Sequence, residues 1–257
     1  MRRLYQKTNP EKDSFEEVVQ EENMAIATPL LTKVNSHYQK EDGYKEAQWF
    51  YVIISGGEKR EKDYFLPLMN SDKFNYIKID FIADPTRPEN LLNTARNKKL
   101  HYSSSQSNIP NRYFIISDIN NFYDDLIKIK TACETENFSL IISNPCFEIW
   151  LYYGEVATIP TDFEIPENPL KKSQAFKNYL NKKIRGGVNP KKALLKLKTA
   201  IDNTENHYRE DERGIPVMFS SNMFILGKEL LHLIDSELDQ MIEEEKQKRN
   251  YYTTAFS

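Results

Sequence analysis

The chain has 257 residues, a formal net charge of −3, 39% hydrophobic residues and 28% charged ones, a balance of ordinary globular proteins able to bury one sizeable core. No apolar run is long enough to span a bilayer, and the N-terminus leads into polar sequence, so neither a membrane segment nor a signal peptide is expected. Two cysteines, Cys133 and Cys146, without metal-like spacing suit a reducing cytoplasm and exclude a disulfide framework or a zinc site.

Residues 1–47 are polar, mixed in charge and weakly periodic, and read as an N-terminal extension with one short helix around 10–20. A β-rich run at 49–55 ends in Gly56-Gly57, a strand entering a tight turn. Over 58–69 the apolar residues Tyr64, Phe65, Leu68 and Met69 keep a helical period. Alternation over 76–82 predicts a second strand, and Pro88 suits the first turn of a helix over 89–100. A third strand is expected over 112–117, a helix over 122–136 and a fourth strand over 138–142. Short apolar strands alternating with helices predict an α/β domain over 48–158, with a mostly parallel sheet flanked by helices. Pro160, Pro166 and Pro169 then introduce a basic, mainly helical C-terminal part over 159–257, with helices near 173–183, 190–203 and 223–247. On the last of these, Met223, Leu226, Leu230, Leu231, Leu233, Ile234 and Leu238 form an apolar stripe best read as core, preceded by Ser221 or Asn222 as its cap.

Functional groups in parallel sheets gather at the carboxyl ends of the strands. Three segments occupy such ends. In the first, Gly56 and Gly57 let the backbone approach a ligand, Glu58 stands at the mouth of the sheet, and Lys59 and Arg60 beside it offer contacts for phosphate oxygens. Glu58 is read either as a functional carboxylate or as a group favoured by the positive end of a helix. The spacing of a phosphate-binding P-loop is absent.

In the second, Asp118 and Asn120 place two oxygen donors toward one Mg²⁺, or Asn120 or Asn121 is a plain cap of the helix that follows. The third is Ser143-Asn144-Pro145-Cys146-Phe147-Glu148-Ile149-Trp150-Leu151. Here Pro145 suits a first helical turn with Asn144 as its cap, and Asn144 is assigned to substrate at the same edge. Phe147, Trp150 and Leu151 pack on the sheet, while Glu148 and Tyr152 share another face. Glu148 is either solvated or, beside aromatic rings, a carboxylate of raised pKa suited to proton transfer.

Between residues 171 and 198 there are ten Lys or Arg residues and no Asp or Glu. Lys182, Lys183, Arg185, Lys191 and Lys192 lead a run of the density that binds nucleic acid, the alternative being a solvated Lys-rich face. Gly186-Gly187 offers a turn whose amides meet a phosphate, and Tyr179 is read as core rather than as a base-stacking ring. The four histidines are scattered and form no evident cluster.

Gly57-Glu58-Lys59-Arg60-Glu61 with Asp63-Tyr64-Phe65, the strand ending in Ser117-Asp118-Ile119-Asn120, and above all the 143–151 segment resemble the RloB family, also called AbiL-type second components. The resemblance covers residues 50–155 well and the C-terminal part loosely. It implies a Toprim-like, Rossmann-like domain in which Glu58 is general acid/base or metal ligand and Asp118 binds Mg²⁺ or Mn²⁺. The pattern's second Asp is Asn120 here, which removes one negative charge from a site for a hard cation. Asp124, Asp125 and Glu148 lie near enough in sequence to substitute. The expected activity is a metal-dependent nuclease of antiphage defence acting on DNA or tRNA, using Glu58, Asp118, Asn120 and Glu148. An ABC/AAA-type ATPase first component (RloA- or AbiL-like) is its expected control partner, and a homo-oligomer is compatible with it. The alternatives are a catalytically impaired nucleic-acid-binding or regulatory subunit, and a nucleotide-handling phosphotransferase, which the missing P-loop disfavours.

Overall fold

The computed structural model describes residues 50–57, 59–74, 77–82, 87–104, 111–119, 121–185 and 187–255. The N-terminal extension, Glu58, Asn120 and Gly186 therefore lie outside the described residues.

Four strands form one parallel sheet: β1 (Phe50–Ser55), β2 (Ile77–Phe81), β3 (Asn111–Asp118) and β4 (Phe138–Ser143), in the order β2-β1-β3-β4. Helices α1 (Arg60–Met69), α2 (Pro88–Ser104) and α3 (Tyr123–Thr135) connect them. Then follow α4 (Glu148–Tyr153), α5 (Lys172–Lys183), α6 (Pro190–Ala193), α7 (Leu197–His207) and the long α8 (Met223–Ala255). The expected α/β layout is present. Of the described helices, none is long and apolar enough to cross a membrane.

Side chains alternate across the sheet, so each central strand feeds two cores. Tyr51, Ile53, Phe114, Ile116 and Ile141 join the buried faces of α1, α4, α5, α7 and α8. Val52, Ile54, Tyr113, Ile115, Phe138 and Ile142 meet α2 and α3 through Leu91, Leu92, Leu126 and Ile129. Burial on both faces explains the near-continuous apolar runs of β1 and β3. The stripe on α8 is core: Met223, Leu226, Leu230, Ile234 and Leu238 are all fully buried.

The outer edge of β4 is not left open. Asn222 Oδ1 accepts from the Ile142 amide at 2.6 Å while its Nδ2 donates to the Leu140 carbonyl at 2.9 Å. Ser143 and Ser221 form an antiparallel bridge, their hydroxyls 2.8 Å apart. The segment before α8 is thus a strap that satisfies an edge strand. Ser221 accepts from the Met223 amide at 3.1 Å as a cap, but Asn222 is spent on β4 rather than on the helix.

Gly227 sets how closely α8 approaches its neighbours. A Cβ there would fall 2.9 Å from Ile201 Cγ1 and 3.0 Å from Cη2 of Trp150, whose ring is buried and cannot swing away. Overpacking of this kind costs about 1–3 kcal/mol, against roughly 1 kcal/mol that alanine gains over glycine in a helix. Overpacking wins, so Gly227→Ala is expected to lower the melting temperature by about 2–4 °C, read by circular dichroism; an equal or higher value would contradict this packing.

Candidate active site at the carboxyl end of the sheet

The strand order places β1 and β3 side by side while β2 lies on the other side of β1, so the connections diverge between their carboxyl ends. That divergence opens the crevice in which α/β sheets bind ligands. Ser55 closes the turn after β1 by accepting from the Gly57 amide at 3.1 Å. Asp118 ends β3 opposite Ser143 of β4, and the Ile119 amide donates to the Ser143 carbonyl at 3.0 Å, holding the next loop to β4.

The 143–148 segment differs from its expected form. Asn144-Pro145 is a cis peptide, α4 begins only at Glu148, and the residue before it is Phe147 with no side-chain cap. Asn144 does not cap the helix. Its Nδ2 donates to the Pro216 carbonyl at 2.8 Å, its amide donates to Ser220 and its carbonyl accepts from Phe219, which ties it to the strap. Nor is Glu148 solvated: every residue of α4 is buried, Glu148 at 3% exposure included.

Two cations from distant elements accompany Glu148 into the interior. Arg60 Nε lies 3.3 Å and Lys177 Nζ 3.7 Å from its Oε1. Lys177 arrives because α5 docks on the 145–148 turn. One helical turn earlier, Ser173 donates from Oγ to the Pro145 carbonyl at 2.8 Å, and positions i and i+4 share a face.

Asp118 and Glu61 complete the group. Burial, then the charges of Glu61 and Glu148, push the Asp118 carboxyl well above its ordinary range, against the pull of Lys177 and the Phe147 amide. Its Oδ1 is sealed from solvent with no hydrogen-bond partner among the described residues. Glu61, in the first turn of α1, is raised from 4.5 to about 7 by burial and then by Glu148, despite Lys177 and Arg60 nearby. Burial works against the Lys177 ammonium, but Glu148, Cys146, Asp118 and Glu61 outweigh it and raise its pKa. The Cys146 thiol is pushed up by burial and by the same carboxylates, so it supplies no thiolate nucleophile.

Gly57 makes room for this arrangement, because a Cβ there would fall inside the Glu61 carboxylate.

Of the sequence-derived site residues, Asp118, Glu148 and Arg60 meet here, whereas Glu58 and Asn120 lie outside the described residues. Lys59 is exposed at the start of α1. Asp124 is exposed in α3 and Asp125 is held by Lys128 at 3.1 Å, so neither joins the carboxylates. Glu61 and Lys177 are the residues that sequence reasoning left without a role. Glu61 lay within the family motif, and Lys177 was only one of ten basic residues; its i,i+4 relation to Ser173 carries no signal until α5 is docked.

The basic run is less free than its sequence suggests. Lys183 binds Asp162 at 2.8 Å, Lys191 lies 3.9 Å from Asp63, Lys192 pairs with Glu245, and Lys198 binds Asp235 and Asp239. With Lys177, five of the ten cations pair with acids from outside the run. Lys182 and Arg185 are exposed and have no ion-pair partner among the described residues. The Gly187 amide donates to the Ile184 carbonyl and is thereby occupied. Tyr179 packs among Tyr152, Phe163 and Phe176 and donates to Asp162 at 2.6 Å, in keeping with a packing role.

A family model described as RloB-like protein matches residues 51–230. The chain belongs to the RloB-like family. No curated protein and no solved structure matches it. The RloB-like match spans the whole carboxylate group, from Glu61 on α1 through Asp118 and Glu148 to Lys177 on α5.

A carboxyl raised in the folded state binds more protons than the unfolded chain between its two pKa values, so stability falls as pH rises through that window. In EDTA the protein is expected to lose stability between about pH 4.5 and 7, the window of Glu61, with Asp118 acting in the same direction. Glu61→Gln should flatten this decline, and Gly57→Ala should do the same by expelling the Glu61 carboxylate into solvent. Melting curves across this range check both; unchanged profiles would show that Glu61 is solvated in the native state.

Proposed function

We propose that this protein is a metal-dependent phosphodiesterase that cleaves nucleic acid in antiphage defence. The observation that carries the reading is the sealed Oδ1 of Asp118, without a partner among the described residues, beside two further carboxylates at the crevice of a parallel sheet. Three carboxylates from β3, α1 and α4 are an electrostatic burden that a hard divalent cation relieves.

The donor chemistry fits Mg²⁺ or Mn²⁺. Among the described residues no three such donors converge closely enough to form a metal group by themselves. Asp118 would therefore hold the ion together with Glu58, Asn120 or water, in keeping with the few protein ligands Mg²⁺ takes. A bound cation of this kind supplies charge to a phosphate and lowers the pKa of a water.

The chain's own residues carry the remaining roles. Glu61, whose pKa is raised by burial and then by Glu148, would accept a proton from the attacking water. Glu148 positions Arg60 and Lys177, whose partly exposed side chains would meet phosphate oxygens. Antiphage defence and control by an ABC/AAA-type ATPase are supported by the family resemblance alone.

The second reading, a non-catalytic nucleic-acid-binding subunit, draws on Asn120 standing where the family pattern has Asp. Plasmid DNA and total tRNA incubated with and without Mn²⁺ distinguish the two. Cleavage is expected only with metal, with losses of roughly 10²-fold or more in Glu61→Gln and Asp118→Asn, and with a gain in Asn120→Asp. Metal-independent cleavage, or full activity in both carboxylate variants, would sink the enzyme reading. An inert wild type whose melting ignores Mn²⁺ would favour the binding subunit.

A further inference from the structure

Along α8 the buried face runs through Met223, Leu226, Leu230, Ile234 and Leu238. Continued at the same helical spacing it reaches Ile242, Glu245, Lys246 and Arg249, where the apolar residues give way to charge. This part of the helix borders a cleft of about 400 Å³, whose other wall is the end of α5 and the turn into α6. Its lining has five cations, Arg185, Lys192, Lys196, Lys246 and Arg249, against two carboxylates, Glu155 and Glu245.

The imbalance is organised. Glu245, 19% exposed, is contacted by Lys192 from one wall and by Arg249 Nε at 3.5 Å from the other. It thus holds a lysine and an arginine toward the same space, while Arg185 and Lys196 have no ion-pair partner among the described residues. Ile184, Leu195 and Ile242 provide a short apolar floor. Among the described residues no aromatic ring lines the cleft to stack on a base. Guanidinium and ammonium groups without a base platform recognise phosphate oxygens.

Helix α5 links this cleft to the carboxylates. Lys177 stands at Glu148, and Lys183 lies six residues further on, about 9 Å along the helix at ~1.5 Å per residue, just before Ile184 and Arg185 on the cleft wall.

We propose that this cleft is a subsite for the phosphate backbone of the nucleic-acid strand, binding it a few nucleotides from the bond cleaved at the carboxylates. The subsite rests on the proposed function for its substrate class. It adds Lys196, Lys246 and Arg249, which lie on elements separated by some fifty residues and form no motif in sequence. Recognition there is of backbone, hence insensitive to base sequence and steeply salt-dependent.

The test is fluorescence anisotropy in EDTA with a labelled RNA hairpin and a labelled single-stranded DNA, titrated at several salt concentrations. Lys246→Glu/Arg249→Glu is expected to weaken binding at least roughly tenfold and to reduce the log–log salt slope by about two. Lys246→Gln/Arg249→Gln should move both in the same direction by less. Lys128→Glu, on α3, should change neither, and circular dichroism melting verifies that each variant is folded.

Wild-type affinity and slope in both double variants would overturn the subsite while leaving the nuclease reading intact. Full displacement of the strand by AMP, inorganic phosphate or polyglutamate at equivalent charge would likewise overturn it, in favour of a small-anion or acidic-peptide site. A wild type that binds neither nucleic acid at low salt would remove the proposed function and the subsite together. Glu61→Gln that binds normally but does not cleave would separate the two sites and support both.

Discussion

Everything at the carboxyl end of the sheet depends on Glu148 being buried as a partner of Arg60 and Lys177. Taking a carboxylate out of water costs several kcal/mol, which is recovered only when opposite charges accompany it in good geometry. The two cations come from α1 and α5, so the ion group cannot form until α1, α4 and α5 have met. It is a costly way to hold three elements together, since an apolar trio would pack at least as well. The expense is understandable in a site whose work is charge. With its counter-ions present, Glu148 raises the pKa of both Asp118 and Glu61.

The apolar surroundings of Glu148 are part of the same device. Phe147 and Trp150 each meet Tyr64 edge-to-face, and Tyr152 meets Phe176 of α5 in the same way. They exclude water from one side of the carboxylates and so strengthen each interaction between charges. On the other side the strap from 216 to 222 pins Asn144 and the edge of β4, fixing where the turn after β4 begins. Within this support from sheet, helix and strap, Asp118 Oδ1 has no hydrogen-bond partner among the described residues.

Charge elsewhere on the molecule follows from packing as well. The 171–198 run looks unopposed in sequence, yet Asp63, Asp162, Asp235, Asp239 and Glu245 reach it from other elements. Surface pairs of this kind add little stability. Of the cations in the run without such a pair, Arg185 and Lys196 line the cleft between the α5–α6 turn and α8.

By itself the sequence determined the order and type of the elements, because periods of two and 3.6 residues are local and each strand or helix carries its own. It also marked Asp118 and the 143–151 segment, since turn-forming residues after an apolar strand identify a strand end wherever the chain goes next. Asn144 is no cap and Glu148 is not solvated for one reason: their partners, Pro216, Arg60 and Lys177, are remote in sequence. Glu61 and Lys177 acquired roles only when parallel pairing set β1 beside β3 and α5 closed on the turn after β4. Local pattern specifies which face of an element is apolar. Which charges then share one buried space is decided by contacts among elements that the tertiary structure alone brings together.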